Sequence, residues 1–151
     1  MKNVLIALLV FGLVSCSAKK DGSLRESELI GKWTNVSLLV TMKRLEKQDS
    51  VLQAKEGEWE KVLKMKPILS EFHEDHTFTA QYSNLQEEII KEQVGKWLVR
   101  NDSLVIVIDG AETVYQFDVK NDRVTYKAKM DWDGDGHAND FYDAVQVKVN
   151  D

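Results

Sequence analysis

One cysteine, one proline, three histidines and a deficit of basic residues are the first features of this chain of 151 residues. A lone cysteine, Cys16, allows no intramolecular disulfide. The histidines offer little for zinc or proton relay: His73 and His76 flank Glu74 and Asp75 but lack the His-Glu-x-x-His spacing and a nearby third ligand, and they read as a polar turn. No Ser, Cys or Thr sits in a nucleophile-elbow context, and carboxylate pairs such as Glu87-Glu88 read as a solvated face, so no enzymatic activity is expected. With 20 basic against 25 acidic residues the formal charge is −5, which argues against nucleic acid or an anionic membrane surface as partner. Nor is any apolar run long enough to span a bilayer: residues 4–14, broken only by Gly12, fall short of the about 20 required.

What that short run does provide is a leader. A start of Met1-Lys2-Asn3, then the apolar stretch, then small residues is the layout of a secretory signal. Its exit, Leu13-Val14-Ser15-Cys16, resembles the bacterial lipobox. The resemblance implies removal of residues 1–15, a diacylglycerol thioether on Cys16 and an N-acyl lipid on the new amino group. At about 0.8 kcal/mol per buried methylene, two or three acyl chains make an effectively permanent anchor. Loss of Lys2 with the leader moves the formal charge from −5 to −6, so the lipid, not electrostatics, would hold the protein to the cell envelope. Residues 16–28 are polar and without apolar periodicity, and are expected to be a flexible lipidated tether. Ser17 directly after Cys16, in place of an acidic residue, resembles lipoproteins sorted to the outer membrane. Residues 29–151 form one domain.

From residue 32 the chain repeats short β signals separated by turn chemistry. Strands are expected over 32–42, 68–72, 77–82, 94–100, 103–109, 112–119, 123–130 and 141–149, with tight turns at Asn101-Asp102, Gly110-Ala111 and Lys120-Asn121-Asp122. Ile68, Phe72, Phe78, Ala80 and Tyr82 share one inward face, as do Val124, Tyr126, Ala128 and Met130, which alternate with polar neighbours. Tyr115, Phe117 and Val119 alternate likewise, and so do Val145, Val147 and Val149. Eight strands joined mainly by hairpins predict an all-β, antiparallel up-and-down barrel, because closure removes exposed edges. The long connection 43–66 is charged and partly helical in pattern, with Trp59, Val62, Leu63 and Met65 as an apolar stripe ahead of Pro67. It is a candidate lid for one barrel end.

Leu29-Ile30-Gly31-Lys32-Trp33, at the start of the first strand, resembles the Gly-x-Trp signature of the lipocalin superfamily. Gly57-Glu58-Trp59-Glu60, Met65-Lys66-Pro67-Ile68, Gly95-Lys96-Trp97 and the Asp-rich loop before the last strand are similar to small bacterial lipocalin-like lipoproteins. The resemblance implies a barrel closed at one end by Trp33. The superfamily's Arg above that Trp has no counterpart here, and Lys148 is the basic residue on the final strand.

The most chemically specific stretch runs from Asp131 to Asp140. Calcium takes six to eight hard oxygens, and carboxylates at alternating positions around a sharp Gly turn deliver them. Asp131, Asp133 and Asp135, followed by Gly136, fit that scheme, with the His137 carbonyl, Asn139 and Asp140 completing a candidate ligand set. Tyr142 stands where an EF-hand has its bidentate Glu, so binding in the weak range of extracellular modules, about 10⁻⁴–10⁻³ M, is expected.

Trp33, Trp97, Tyr115, Phe117 and Tyr126 are candidates to line an interior cavity. Two functions follow. In the first, the barrel binds a small apolar or amphipathic ligand. In the second, a filled barrel presents its loops to an envelope protein.

Overall fold

A computed structural model describes residues 22–44 and 48–150. Cys16 and the expected signal peptide lie outside the described residues. The elements are α1 (Gly22–Leu29), β1 (Gly31–Met42), β2 (Ser50–Ala54), α2 (Trp59–Leu63), β3 (Leu69–Phe72), β4 (Thr77–Ser83), β5 (Ile89–Arg100), β6 (Ser103–Ile108), β7 (Ala111–Lys120), β8 (Arg123–Met130) and β9 (Asp140–Lys148). All strand pairs are antiparallel neighbours in sequence order from β3 to β9, and β9 returns to β1 to close an eight-stranded up-and-down barrel. The second edge of β1 is divided. Its first residues, 31–34, pair with β3, and residues 38–42 pair with β2.

Turn chemistry sets the register of the second half. Asn101 and Asp102, Asp109 and Gly110, and Asn121 and Asp122 all have positive φ, the requirement of two-residue hairpins whose twist matches the strands. The middle turn therefore falls one residue earlier than expected, at Asp109-Gly110 instead of Gly110-Ala111, and Ala111 opens β7 opposite Ile108.

Residues 22–28 depart from the expected tether. They form α1, whose hold on the barrel comes from tertiary contacts that its polar sequence does not advertise. The Arg25 guanidinium lies 4.1 Å from the centre of the Phe117 ring and donates to the Phe117 carbonyl at 2.6 Å. The Glu26 carboxylate accepts the Val99 N–H at 3.0 Å, and Leu29 is fully buried. This end of the barrel is filled. Trp33 and Trp97, with Phe72, Phe78, Leu104, Phe117 and Val124, form one core with Leu29. The Trp33 indole donates to the Leu29 carbonyl at 2.6 Å, and the Lys148 ammonium sits 5.3 Å from its ring centre, a cation held over an aromatic face. Gly31, at φ +118°, leaves the space that the Lys148 side chain crosses.

The connection after β1 carries a strand as well as a helix. β2 extends the β1 hairpin, and α2 packs Trp59, Val62 and Leu63 against Leu38, Val40, Ala54 and Ala144. Lys64, in the left-handed region at φ 57°, ends α2 before Pro67 is reached.

Gly95 on β5 has no room for a side chain. A Cβ there would lie 2.9 Å from Ile108 Cγ1 and nearer still to the Val107 carbonyl oxygen. Gly95→Ala is expected to cost about 1–3 kcal/mol through forced strand separation, read as a lower urea midpoint. An unchanged midpoint would show that β5 and β6 are less closely packed than described.

Candidate functional site

The other end of the barrel is not filled. A cavity of about 350 Å³ runs from Phe72 and Phe78 near mid-barrel to Ile108 and Ala111 at the β6–β7 turn, opposite the end covered by α1. All four tyrosines of the chain line it: Tyr82, Tyr115, Tyr126 and Tyr142. The Tyr115 ring meets those of Tyr126 and Tyr142 edge-on, each at 5.9 Å between centres. Tyr82 donates to the Gln93 side-chain carbonyl at 2.6 Å.

A buried polar group sits among these rings. Asn35 of β1, Ser70 of β3 and Gln146 of β9 are almost wholly buried and also line the cavity. The Gln146 amide donates to Asn35 Oδ1 at 3.1 Å and to Ser70 Oγ at 3.3 Å. Its own carbonyl oxygen Oε1 and the Tyr126 hydroxyl are buried with no hydrogen-bond partner. Among the described residues, no Asp, Glu, Lys, Arg or His lines this space. Burial pushes the Tyr115 phenol up to about 12, and burial likewise raises Tyr126 and Tyr82. The cavity is thus electrically neutral.

Of the five side chains expected to line an interior, Tyr115 and Tyr126 do so. Trp33, Trp97 and Phe117 are core residues of the filled end. Trp97 is additionally clasped by the hairpin tip: its indole donates to the His73 carbonyl at 3.0 Å, and the His76 ring nitrogen lies 3.2 Å from its carbonyl oxygen. Both histidines are thus engaged with Trp97, His73 through its backbone and His76 through its ring.

The loop between β8 and β9 is built around Asp140. This side chain is fully buried, and its carboxylate accepts the Lys43 N–H on Oδ1 and the Trp132 and Asp133 N–H groups on Oδ2. Desolvation alone would raise its pKa, but those three N–H groups together hold it below the ordinary 3.8. Asp131 accepts the Gly136 N–H, Asp133 that of Asp135, and Asp135 that of His137. Carboxylate oxygens of Asp131, Asp133 and Asp140 lie within 4.8 Å of one another, and Asn139 Oδ1 is buried without a partner. Asp135 stands outside that group. The His137 carbonyl accepts the Asn139 N–H at 2.8 Å. Three hard oxygens converging at one point fit part of the donor set of a divalent oxygen-seeking cation. The loop also touches the cavity, since Trp132 packs on Tyr142 with 5.7 Å between ring centres.

Asn35, Ser70 and Gln146 escaped sequence reasoning, although a signal was present. Ser70 has the same strand parity as inward Ile68 and Phe72. On β9 the inward residues are Ala144 and Gln146, while Val145 and Val147 take the outer face. Comparison with known proteins adds nothing to the geometry: no family model matches the chain and no curated protein does.

The raised tyrosines fix an alkaline prediction. A phenol whose folded pKa lies above the unfolded 10.0 loses its proton first in the unfolded state, so its contribution is whole below pH 10 and is lost as pH rises toward the folded value. Urea midpoints are expected to fall across that window, less steeply in Tyr115→Phe. Tyrosinate absorbance from all four phenols near pH 10 with the fold intact would contradict it.

Proposed function

We propose that this protein is a lipocalin-like binding lipoprotein of the cell envelope, held to the membrane by lipid on Cys16, sorted to the outer membrane by Ser17, and taking a small apolar or amphipathic ligand into its barrel. The observation that carries the binding reading is the neutral, tyrosine-lined cavity of about 350 Å³, in the size range of small-molecule sites. A barrel that served only to display its loops would gain stability from filling that space with side chains. The tether would reach the domain at α1, on the filled end, so the cavity would open away from the anchor and toward solutes.

Native mass spectrometry of the protein from its source is expected to show a bound small molecule, lost in Thr113→Trp, which places a large side chain in the cavity lining. No mass beyond that of the covalently lipidated polypeptide in either protein would oppose the proposal.

A calcium ion in the 131–140 loop is the second part of the reading. Asp131, Asp133, Asp140 and Asn139 would hold it, fixing the start of β9 and the Trp132–Tyr142 contact. At a calcium concentration about ten times Kd, linkage adds about 1.4 kcal/mol, an upward shift of roughly 4 °C in melting temperature. Asp131→Ala should abolish that shift. An identical melt with and without millimolar calcium would remove calcium from the account.

A further inference from the structure

We infer that the cavity selects an uncharged molecule that donates a hydrogen bond, with the Gln146 side-chain carbonyl and the Tyr126 hydroxyl as the specificity-determining groups. The inference rests on the binding reading above and narrows it to a ligand class.

The orientation of the Gln146 amide is fixed from one side. Both of its N–H directions are taken, by Asn35 Oδ1 and Ser70 Oγ, which leaves Oε1 as a buried acceptor with nothing to accept. The Tyr126 hydroxyl is the second unpaired group; both residues line the same cavity, and because the two polar atoms are themselves covered, a ligand reaches them by a turn of either side chain. Buried polar atoms in folded proteins are nearly always paired, and an exception calls for a cause such as strain, an ordered water or a ligand. A ligand N–H or O–H supplies what Oε1 lacks, and a hydroxyl can serve Tyr126 as either donor or acceptor.

The rest of the wall excludes the alternatives. A carboxylate or phosphate would enter a space lined by no cation among the described residues, and an ammonium would meet no carboxylate; either would be buried without a counter-charge. A free fatty acid entering carboxylate first is disfavoured on that ground. Tyr115 and Tyr142, set edge-on to one another, offer faces and edges suited to a flat apolar body. The class is therefore a compact one- or two-ring molecule carrying a hydroxyl or amide N–H at its leading end.

Phenol, toluene and benzoate, titrated calorimetrically into the full-length protein, separate these possibilities because they share a ring and differ in donor and charge. Phenol is expected to bind about tenfold more tightly than toluene, the worth of one hydrogen bond, and benzoate more weakly than either. Tyr126→Phe should raise the melting temperature of the ligand-free protein, since it removes an unpaired buried hydroxyl, yet reduce the phenol-to-toluene ratio several-fold. Gln146→Met should bring that ratio close to one. Equal binding of phenol and toluene, tightest binding of benzoate, or a Tyr126→Phe variant with lower stability and an unchanged ratio would overturn the inference and leave the binding reading standing. Failure of all three probes to bind would overturn both.

Discussion

The structure depends on one seam, the antiparallel pairing of β1 with β9. Without it the sheet is open, with β9 as a bare edge and no interior. The seam runs from Trp33 opposite Lys148 to Thr41 opposite Phe141 and changes register between Asn35 and Ser37. At that irregularity Asn35 faces Gln146, and their side chains are bonded across it. Each end has its own fastening. At one, the Lys148 ammonium lies over Trp33; at the other, Asp140 receives the Lys43 N–H as β1 ends.

Closure divides the interior into two unequal halves. Toward α1 the inward residues are Trp, Phe and Leu, packed as one buried cluster; toward the β6–β7 turn they are Tyr, Ile, Ala and short polar groups, and a cavity remains. That second half is expensive. An unpaired buried polar atom costs about 1–3 kcal/mol, and two of them, Gln146 Oε1 and the Tyr126 hydroxyl, occur together. The packed half has an unpaired buried atom of its own, Arg25 Nε, set against the burial of Leu29 and the Arg25 contact with Phe117. Stability concentrated at one end permits an unfilled site at the other, the usual relation between a rigid scaffold and a strained or unsatisfied functional site.

The barrel itself was legible because its signals are local. Alternation in 123–130 and the Asn and Asp residues at the turns specify strands and hairpins from neighbours alone, and the expected strands agree with the observed ones to within one residue at each end, except that β5 begins at Ile89 where 94 was expected. What was illegible depends on distant partners. α1 has a polar sequence and is held by Phe117 and Val99, far along the chain. β2 is a strand because β1 offers it a free edge beyond β3. On β9 the apolar residues pointed to the wrong face: Val145 and Val147 look like a core stripe, but the seam turns Gln146 inward. The polar members of the cavity were therefore hidden by the rule that apolar side chains face in. Trp33, Trp97 and Phe117 suit a cavity lining and a core alike, and it is their packing with Leu29 of α1 that makes them core.

The central claim is that the tyrosine-lined half is kept open, with a polar floor, for a ligand. A crystal structure of the protein purified without denaturation tests it most directly. The account predicts electron density for a compact molecule within hydrogen-bond distance of Gln146 Oε1 and the Tyr126 hydroxyl, between the rings of Tyr115 and Tyr142. A cavity closed by inward rotation of those rings, with Gln146 Oε1 paired to a protein donor, would contradict it.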